Sequence, residues 1–288
     1  MLGTVGDLVE DVVVHLRGPV NVASDTSALI IRRRGGSAAN VVAAACMAGG
    51  RARFIGQVGD DATGRGLTDS LAATGAEVVV RRRGRSGTVV ALIDVAGERT
   101  MLSDRGACTE LSNPDRTWLD GLTLLHIPFY SLVGEPLAST VATLAGWASA
   151  SGIAISIDTS SSAVLQHVGI DEAVETIRSL RPRVVLANEL EAATLGEALQ
   201  PQALAGAIVV VKQGAQPAII SQHGHATREV AAIAVDNVTD TTSAGDAFAA
   251  GFLLSFTAGA DPVAAAQRGH EAAAAAIRRT AQDQRSSE

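Results

Sequence analysis

Lysine is all but missing from this chain: of its 23 basic residues only Lys212 is one, and Val211 precedes it. A Walker-type phosphate loop needs Gly-Lys followed by Ser or Thr, so that chemistry is excluded. Aromatic residues make up 3% of the sequence, too few for a base-stacking platform. The two cysteines, Cys46 and Cys108, form no CxxC pair and no disulfide framework, which fits a reducing compartment. The six histidines include no HExxH, and no GxSxG occurs, so zinc-hydrolase and nucleophile-elbow chemistry lack their residues. Acidic residues outnumber basic ones 30 to 23, a net charge of −7, which disfavours a nucleic-acid partner. Membrane signals are missing too. Residues 1–10 carry Asp7 and Glu10 without a basic cluster, unlike a secretory leader. The longest uncharged run, residues 136–157, is interrupted by Ser139, Thr140, Thr143, Ser149, Ser151, Gly152 and Ser156. It reads as an amphipathic helix entering a buried strand, not as a membrane span. The expectation is a soluble, cytoplasmic protein.

What is present is a large apolar fraction, 47% of 288 residues, enough to bury a sizeable core. In the second half, short apolar runs at residues 122–127, 153–157, 184–187 and 208–211 alternate with helix-forming stretches at 136–150, 169–180 and 189–199. Such alternation predicts a mostly parallel sheet covered by helices on both faces, an α/β fold. Two closing helices are expected at residues 246–258 and 261–279. Two early segments, residues 11–34 and 87–103, carry β-branched runs and turn residues but no long helix. They predict a small antiparallel sheet projecting from the body, able to serve as a lid. The basic runs Arg32-Arg33-Arg34 and Arg81-Arg82-Arg83 with Arg85 read as solvated strand edges that resist edge-to-edge pairing.

The most informative stretch is Asp240-Thr241-Thr242-Ser243-Ala244-Gly245-Asp246-Ala247-Phe248, followed by an apolar helix. Small residues at a helix mouth let an anion reach amides that lack internal partners, and the helix dipole favours negative charge there. Asp246, in the first turn, stands beside that anion and can accept a proton from an attacking hydroxyl. Taken alone, the block is equally an ordinary helix cap.

That stretch resembles the C-terminal signature of the ribokinase-like (PfkB-type) carbohydrate kinases, usually written DTTGAGDxF. A second hallmark is Gly35-Gly36-Ser37-Ala38-Ala39-Asn40, followed by residues 54–61 (FIGQVGDD) and Gly64. Residues 97–102 (GERTML) and Arg105-Gly106-Ala107 are also similar to that family. The matches run in the family's order from Gly6 to about Arg279, nearly the whole chain. The resemblance implies one ribokinase-like domain over residues 1–288, with lid excursions near 11–35 and 87–103. It implies Asp246 as catalytic base and Ser243, Ala244 and Gly245 as an anion hole of backbone N–H groups. Asn188 and Glu191 match the family's Asn-x-x-Glu, which helps position Mg²⁺ and ATP, partly through water. At i and i+3 they share one helix face. Asp11, Gly35, Gly36 and Asn40 fall at the sugar site, and Lys212 and Gly214 beside the nucleotide. His270 stands near the adenine. Asp240 and Thr242 match a monovalent-cation loop, which makes K⁺ a candidate cofactor beside ATP and Mg²⁺. Lids of this kind pair between subunits, so a homodimer through the lid is expected.

The sequence departs from the ribokinase branch at two sugar positions, with Val9 in place of an Asn and His126 in place of a Glu. His126, followed by Phe129 and Tyr130, looks more like the aldose and keto-sugar-acid kinase branches. Arg105 is a candidate for an anionic group such as a sugar carboxylate, or else a surface arginine bonding a turn. The resulting expectation is an ATP-dependent kinase that phosphorylates a hydroxymethyl group of a small sugar or sugar derivative. A nucleoside kinase of the same family and a catalytically weak sugar-binding relative are the alternatives. A dinucleotide-binding oxidoreductase would need GxGxxG after the first strand, and residues 3–9 (GTVGDLV) lack it.

Overall fold

A computed structural model of the chain describes residues 1–236, 238 and 241–285. The chain begins with β1 (Leu2–Val5), leaves through β2 (Val9–Leu16) and β3 (Ala28–Gly35), and returns by α1 (Ser37–Met47), β4 (Ala52–Val58), α2 (Ala62–Ala72) and β5 (Glu77–Arg82). A second excursion forms β6 (Thr88–Ile93) and β7 (Arg99–Asp104). Regular alternation follows: β8 (Leu124–Pro128), α3 (Leu137–Ala150), β9 (Ala154–Asp158), α4 (Ser162–Val168), α5 (Ile170–Ser179), β10 (Val184–Asn188), α6 (Glu189–Leu195) and β11 (Ile208–Lys212). The hairpin strands β12 (Ala218–Ser221) and β13 (Arg228–Val230) precede α7 (Ala244–Thr257) and α8 (Pro262–Arg285).

Nine strands form one sheet in the order β13-β12-β11-β10-β9-β8-β1-β4-β5. From β5 to β11 every pairing is parallel; β12 and β13 attach antiparallel. The parallel strands carry near-continuous apolar runs because both of their faces are covered. One face packs on α1, α2, α7 and α8 through Leu124, Leu186, Val210 and Phe252; the other packs on α3 to α6 through Leu125, Ile127, Val185 and Leu144. α7 has apolar residues all round, as a helix enclosed by neighbours requires. Residues 136–157 form α3 and enter β9, as expected, and no helix among the described residues is long and apolar enough to cross a membrane.

The small sheet, in order β3-β2-β6-β7, lies where the sequence places it but is not wholly antiparallel. Each excursion is an antiparallel hairpin, whereas β2 and β6 run parallel, Asp11 opposite Val89 and Val13 opposite Ala91. Both strands leave the large sheet in the same outward direction, so their contact is parallel. The basic runs also divide. Arg81 and Arg82 lie on β5, the edge strand, with Arg81 over the Trp118 ring, and Arg32 pairs with Glu10 at the surface. Arg33 and Arg34 are partly buried, and Arg34 points at the cleft described next.

Candidate active site

The cleft opens at the carboxyl ends of the parallel strands, where open α/β sheets place their ligands. β9 ends there at Asp158, β10 at Asn188 and β11 at Lys212, and the mouth of α7 faces them. From the opposite side α1 brings Ser37 and Asn40. Oδ1 of Asp246 accepts a hydrogen bond from Ser37 Oγ at 2.7 Å, and Oδ2 accepts one from Asn40 Nδ2 at 3.0 Å. The Arg34 guanidinium donates to Asn40 Oδ1 at 3.2 Å, which turns the amide group of Asn40 toward the carboxylate. Burial pushes the Asp246 carboxyl up to about 6; the Ser37 and Asn40 bonds and the Lys212 charge oppose this, and Asp158 adds to it. A carboxylate tuned in this way suits a general base near neutrality.

The α7 mouth is shaped by Ser243, which caps the helix in the left-handed region at φ 63°. The Ala244 N–H donates back to the Thr241 carbonyl at 3.1 Å. Of the expected anion hole, the Ala244 N–H is therefore already taken, while among the described residues those of Gly245 and of the adjoining Asp246 have no partner. Asp240 lies outside the described residues, and Thr242 forms the turn before the cap.

Gly35 and Gly36 are glycines for steric reasons. A Cβ at Gly35 would overlap the Asp11 carboxylate, and one at Gly36 would overlap the Asp7 carbonyl. Gly36 also caps α1 at φ 98°. Asp11, Gly35, Asn40, Arg34 and Asp246 thus come together, the charges of Asp11 and Asp246 opposing the effect of burial on Arg34. Gly214 provides a left-handed turn at φ 58° just beyond β11.

Asn188 and Glu191 form a reciprocal capping box on α6: the Glu191 N–H donates to Asn188 Oδ1, and the Asn188 N–H donates to Glu191 Oε2, each at 2.9 Å. Asn188 Nδ2 and Thr159 Oγ1 donate to the same carboxylate, each at 2.6 Å. Glu191 is 2% exposed, and burial with the nearby Asp158 charge raises its carboxyl above the ordinary range. Beside it, Lys212 Nζ and Asp158 Oδ2 form a partly buried ion pair at 2.6 Å.

Three sequence expectations do not reach the cleft. Arg105 forks onto Asp7, with bonds of 2.7 and 2.9 Å, and stands over the Tyr130 ring, so it is already satisfied by a carboxylate of its own chain. His126 is 0% exposed within β8, its Nδ1 2.8 Å from Ser156 Oγ, and burial pushes its imidazole down to about 4. An enclosed ring of that kind touches no substrate. His270 donates from Nε2 to the Val230 carbonyl at 3.0 Å and packs edge-on against Phe248, tying α8 to β13. Conversely, Ser37, Arg34, Asp158 and Thr159 belong to the site and were not singled out in the sequence. The signal available for Asp158 was its position, a carboxylate at the end of a buried parallel strand.

Residues 9–287 match the pfkB family of carbohydrate kinases. The chain is 30% identical over 230 residues to a fructokinase of Klebsiella pneumoniae, 73% of this chain and 72% of that enzyme. It is 44% identical over 71 residues to a 2-dehydro-3-deoxygluconokinase of Dickeya dadantii, 24% of this chain and only 23% of that enzyme's length. An adenosine kinase of Sinorhizobium meliloti superposes with a TM-score of 0.85 at 24% identity, covering 96% of this chain and 93% of that one. The chain belongs to the pfkB family of carbohydrate kinases and has their ribokinase-like fold.

Proposed function

We propose that this carbohydrate kinase transfers the γ-phosphoryl group of ATP to a hydroxymethyl oxygen of a small ketose or keto-sugar acid. One observation carries the reading: Asp246 stands at the mouth of α7, its carboxyl pushed up to about 6, beside two amides that have no partner among the described residues. The substrate hydroxyl gives its proton to Asp246 as its oxygen bonds to phosphorus. The bond from phosphorus to the bridging β,γ-oxygen breaks, and ADP leaves with that electron pair. The N–H groups of Gly245 and Asp246 receive the charge on the phosphoryl oxygens. Asn40 and Asp11, across the Gly35-Gly36 turn, hold the sugar hydroxyls. The fructokinase and 2-dehydro-3-deoxygluconokinase relatives support the substrate class.

Magnesium would neutralise charge on the nucleotide phosphates when bound with them. Both oxygens of Glu191 already accept bonds from protein groups, and no cluster of three or more His, Cys, Asp or Glu among the described residues could hold a metal. The residues therefore fit an ion that arrives with ATP and keeps waters between itself and Asn188 and Glu191. The small sheet serves as the lid over the sugar. Its exposed apolar side chains Leu29, Ile30, Met101 and Leu102 support pairing with a second copy of the chain, which sedimentation at two concentrations tests. The decisive assay is ADP release over a panel of ketoses, aldoses, sugar acids and nucleosides, with and without K⁺. Release with one sugar class, abolished in Asp246→Asn, is expected; undiminished turnover in that variant removes the assigned base.

A further inference from the structure

Lys212 is unusual twice over. The chain uses arginine for its other basic positions, 23 less 1 or 22 of them, and lysine only here. Arginine is a rigid planar fork, whereas an ammonium is a compact charge whose three donors turn on a flexible stem. Its position is also unusual. Lys212 ends β11 directly opposite Asn188 of β10, yet its Nζ leans past β10 to Asp158 on β9. There it lies over the α7 mouth: a Cβ at Gly245 would stand 3.6 Å from Nζ, the nearest atom it would meet. Asp158, Glu191 and Asp246 all act on this one ammonium and hold it protonated against the effect of burial.

A buried ion pair is seldom a net gain over apolar packing of the same volume, so stability alone does not account for a lysine here. Asp158 has an anchor of its own, since its Oδ1 accepts the Ser160 N–H at 2.9 Å. The carboxylate therefore stays in place if the ammonium moves.

We propose that Lys212 is a mobile catalytic cation: Asp158 parks its ammonium over the α7 mouth in the nucleotide-free protein, and the ammonium passes to the terminal phosphoryl group when ATP binds. Asp158 is then a positioning residue that competes with ATP for the ammonium. The inference rests on the kinase reading above. During phosphoryl transfer Lys212 keeps its proton, because Asp246 is the group that accepts the one from the sugar.

Steady-state kinetics on full-length variants, with ATP affinity measured separately by calorimetry, test this. Lys212→Met is expected to lower kcat by about 10²- to 10³-fold, with the sugar KM held within about threefold. Lys212→Arg should restore part of that loss. Asp158→Asn should bind ATP more tightly than the wild type while kcat falls, a split that a merely structural pin would not give. Because Lys212→Met leaves Asp158 unpaired, the double variant Lys212→Met/Asp158→Asn checks that lost turnover is not lost folding. A second test needs no turnover. An acyl phosphate of ADP, applied at alkaline pH, is attacked at its acyl carbon by the free-amine fraction of a lysine beside the terminal phosphate. The C–N bond forms, the C–O bond to the phosphate oxygen breaks, ADP leaves and the amine proton goes to solvent; Lys212 is the only lysine in the sequence. Acylation of Lys212 that ATP blocks is expected, with the N-terminal amine as control. If the wild type turns over and Lys212→Met keeps kcat within threefold, the inference fails and the kinase reading stands. If no sugar supports ADP release, the kinase reading fails. Acylation that spares Lys212 or ignores ATP overturns the placement in either case.

Discussion

Replacing the proposed base should make the protein more stable while making it inactive. Moving the Asp246 carboxyl from the ordinary 3.8 to about 6 means the fold disfavours its charged form by about 3 kcal/mol, at roughly 1.4 kcal/mol per factor of ten. The folded state holds its proton to higher pH than the unfolded chain does. The penalty is therefore absent below about 3.8, grows between 3.8 and 6, and is fully present above 6. Asparagine is a permanent stand-in for the neutral acid and removes the penalty. Its amide must, however, sit opposite the Asn40 or Ser37 donors, a mismatch of about 1 kcal/mol. The balance is a gain of about 2 kcal/mol at pH 7.5, equivalent to a rise of about 4 °C in Tm for a chain of this size. Turnover should fall by about 10²- to 10⁴-fold. Calorimetric melts of both proteins from pH 4.5 to 8, beside ADP release, measure the two effects. The Tm difference should shrink as pH falls below 6 and approach zero near pH 4.5, where the wild-type penalty has dropped to about the 1 kcal/mol mismatch of the asparagine. A difference that does not change with pH would refute the argument that burial of this carboxylate sets its proton affinity.

The other expectations follow from geometry. Ser243→Gly removes a side chain from the left-handed cap and should raise the urea midpoint by an amount equivalent to about 1 kcal/mol; a lower midpoint would mean that the hydroxyl contributes more than the strain. Gly36→Ala meets both a positive φ and the Asp7 carbonyl and should cost about 2 kcal/mol or more in the same titration. Arg105→Met strands Asp7 and should cost about 3 kcal/mol, with much of that recovered in Asp7→Asn/Arg105→Met. If Arg105 instead binds a substrate carboxylate, its loss will raise the KM for sugar acids alone and leave neutral sugars unaffected.

Legibility in the sequence followed the length scale of each interaction. The β8 to β11 alternation could be read because a buried parallel strand needs an apolar run, and the α7 block because small residues at a helix mouth carry a local signature. Asp246, Asn40, Gly35 and Gly36 followed from such local patterns together with the family resemblance. Arg34 looked like its neighbours Arg32 and Arg33; strand alternation sets it apart from Arg33 alone, and what separates it from Arg32 is the nearness of Asp246, 212 positions along the chain. Arg105 and His126 had their partners hidden for the converse reason. Each has chemistry that would suit a sugar site, but Asp7 and Ser156, their partners, come from distant strands or loops. The parallel β2–β6 contact was likewise hidden, since local composition records strand propensity and not direction.

The way the small sheet is attached limits how it can travel. Four chain passages root it in the body: residues 6–8, 36, 83–87 and 105–106. A flap hung on one thread could swing freely, but a plate on four legs can only rock. The Asp7–Arg105 fork ties the first leg to the last, and the Arg85 carbonyl, accepting from the Ala107 N–H, ties the third to the last. The axis of rocking therefore runs through these feet, so displacement is smallest at Asp11 and Gly35 and largest at the far tips, residues 17–27 and 94–98. If Asp11 holds the sugar as proposed, any tilt of the plate moves that carboxylate least, and the substrate would keep its register while the roof above it closed.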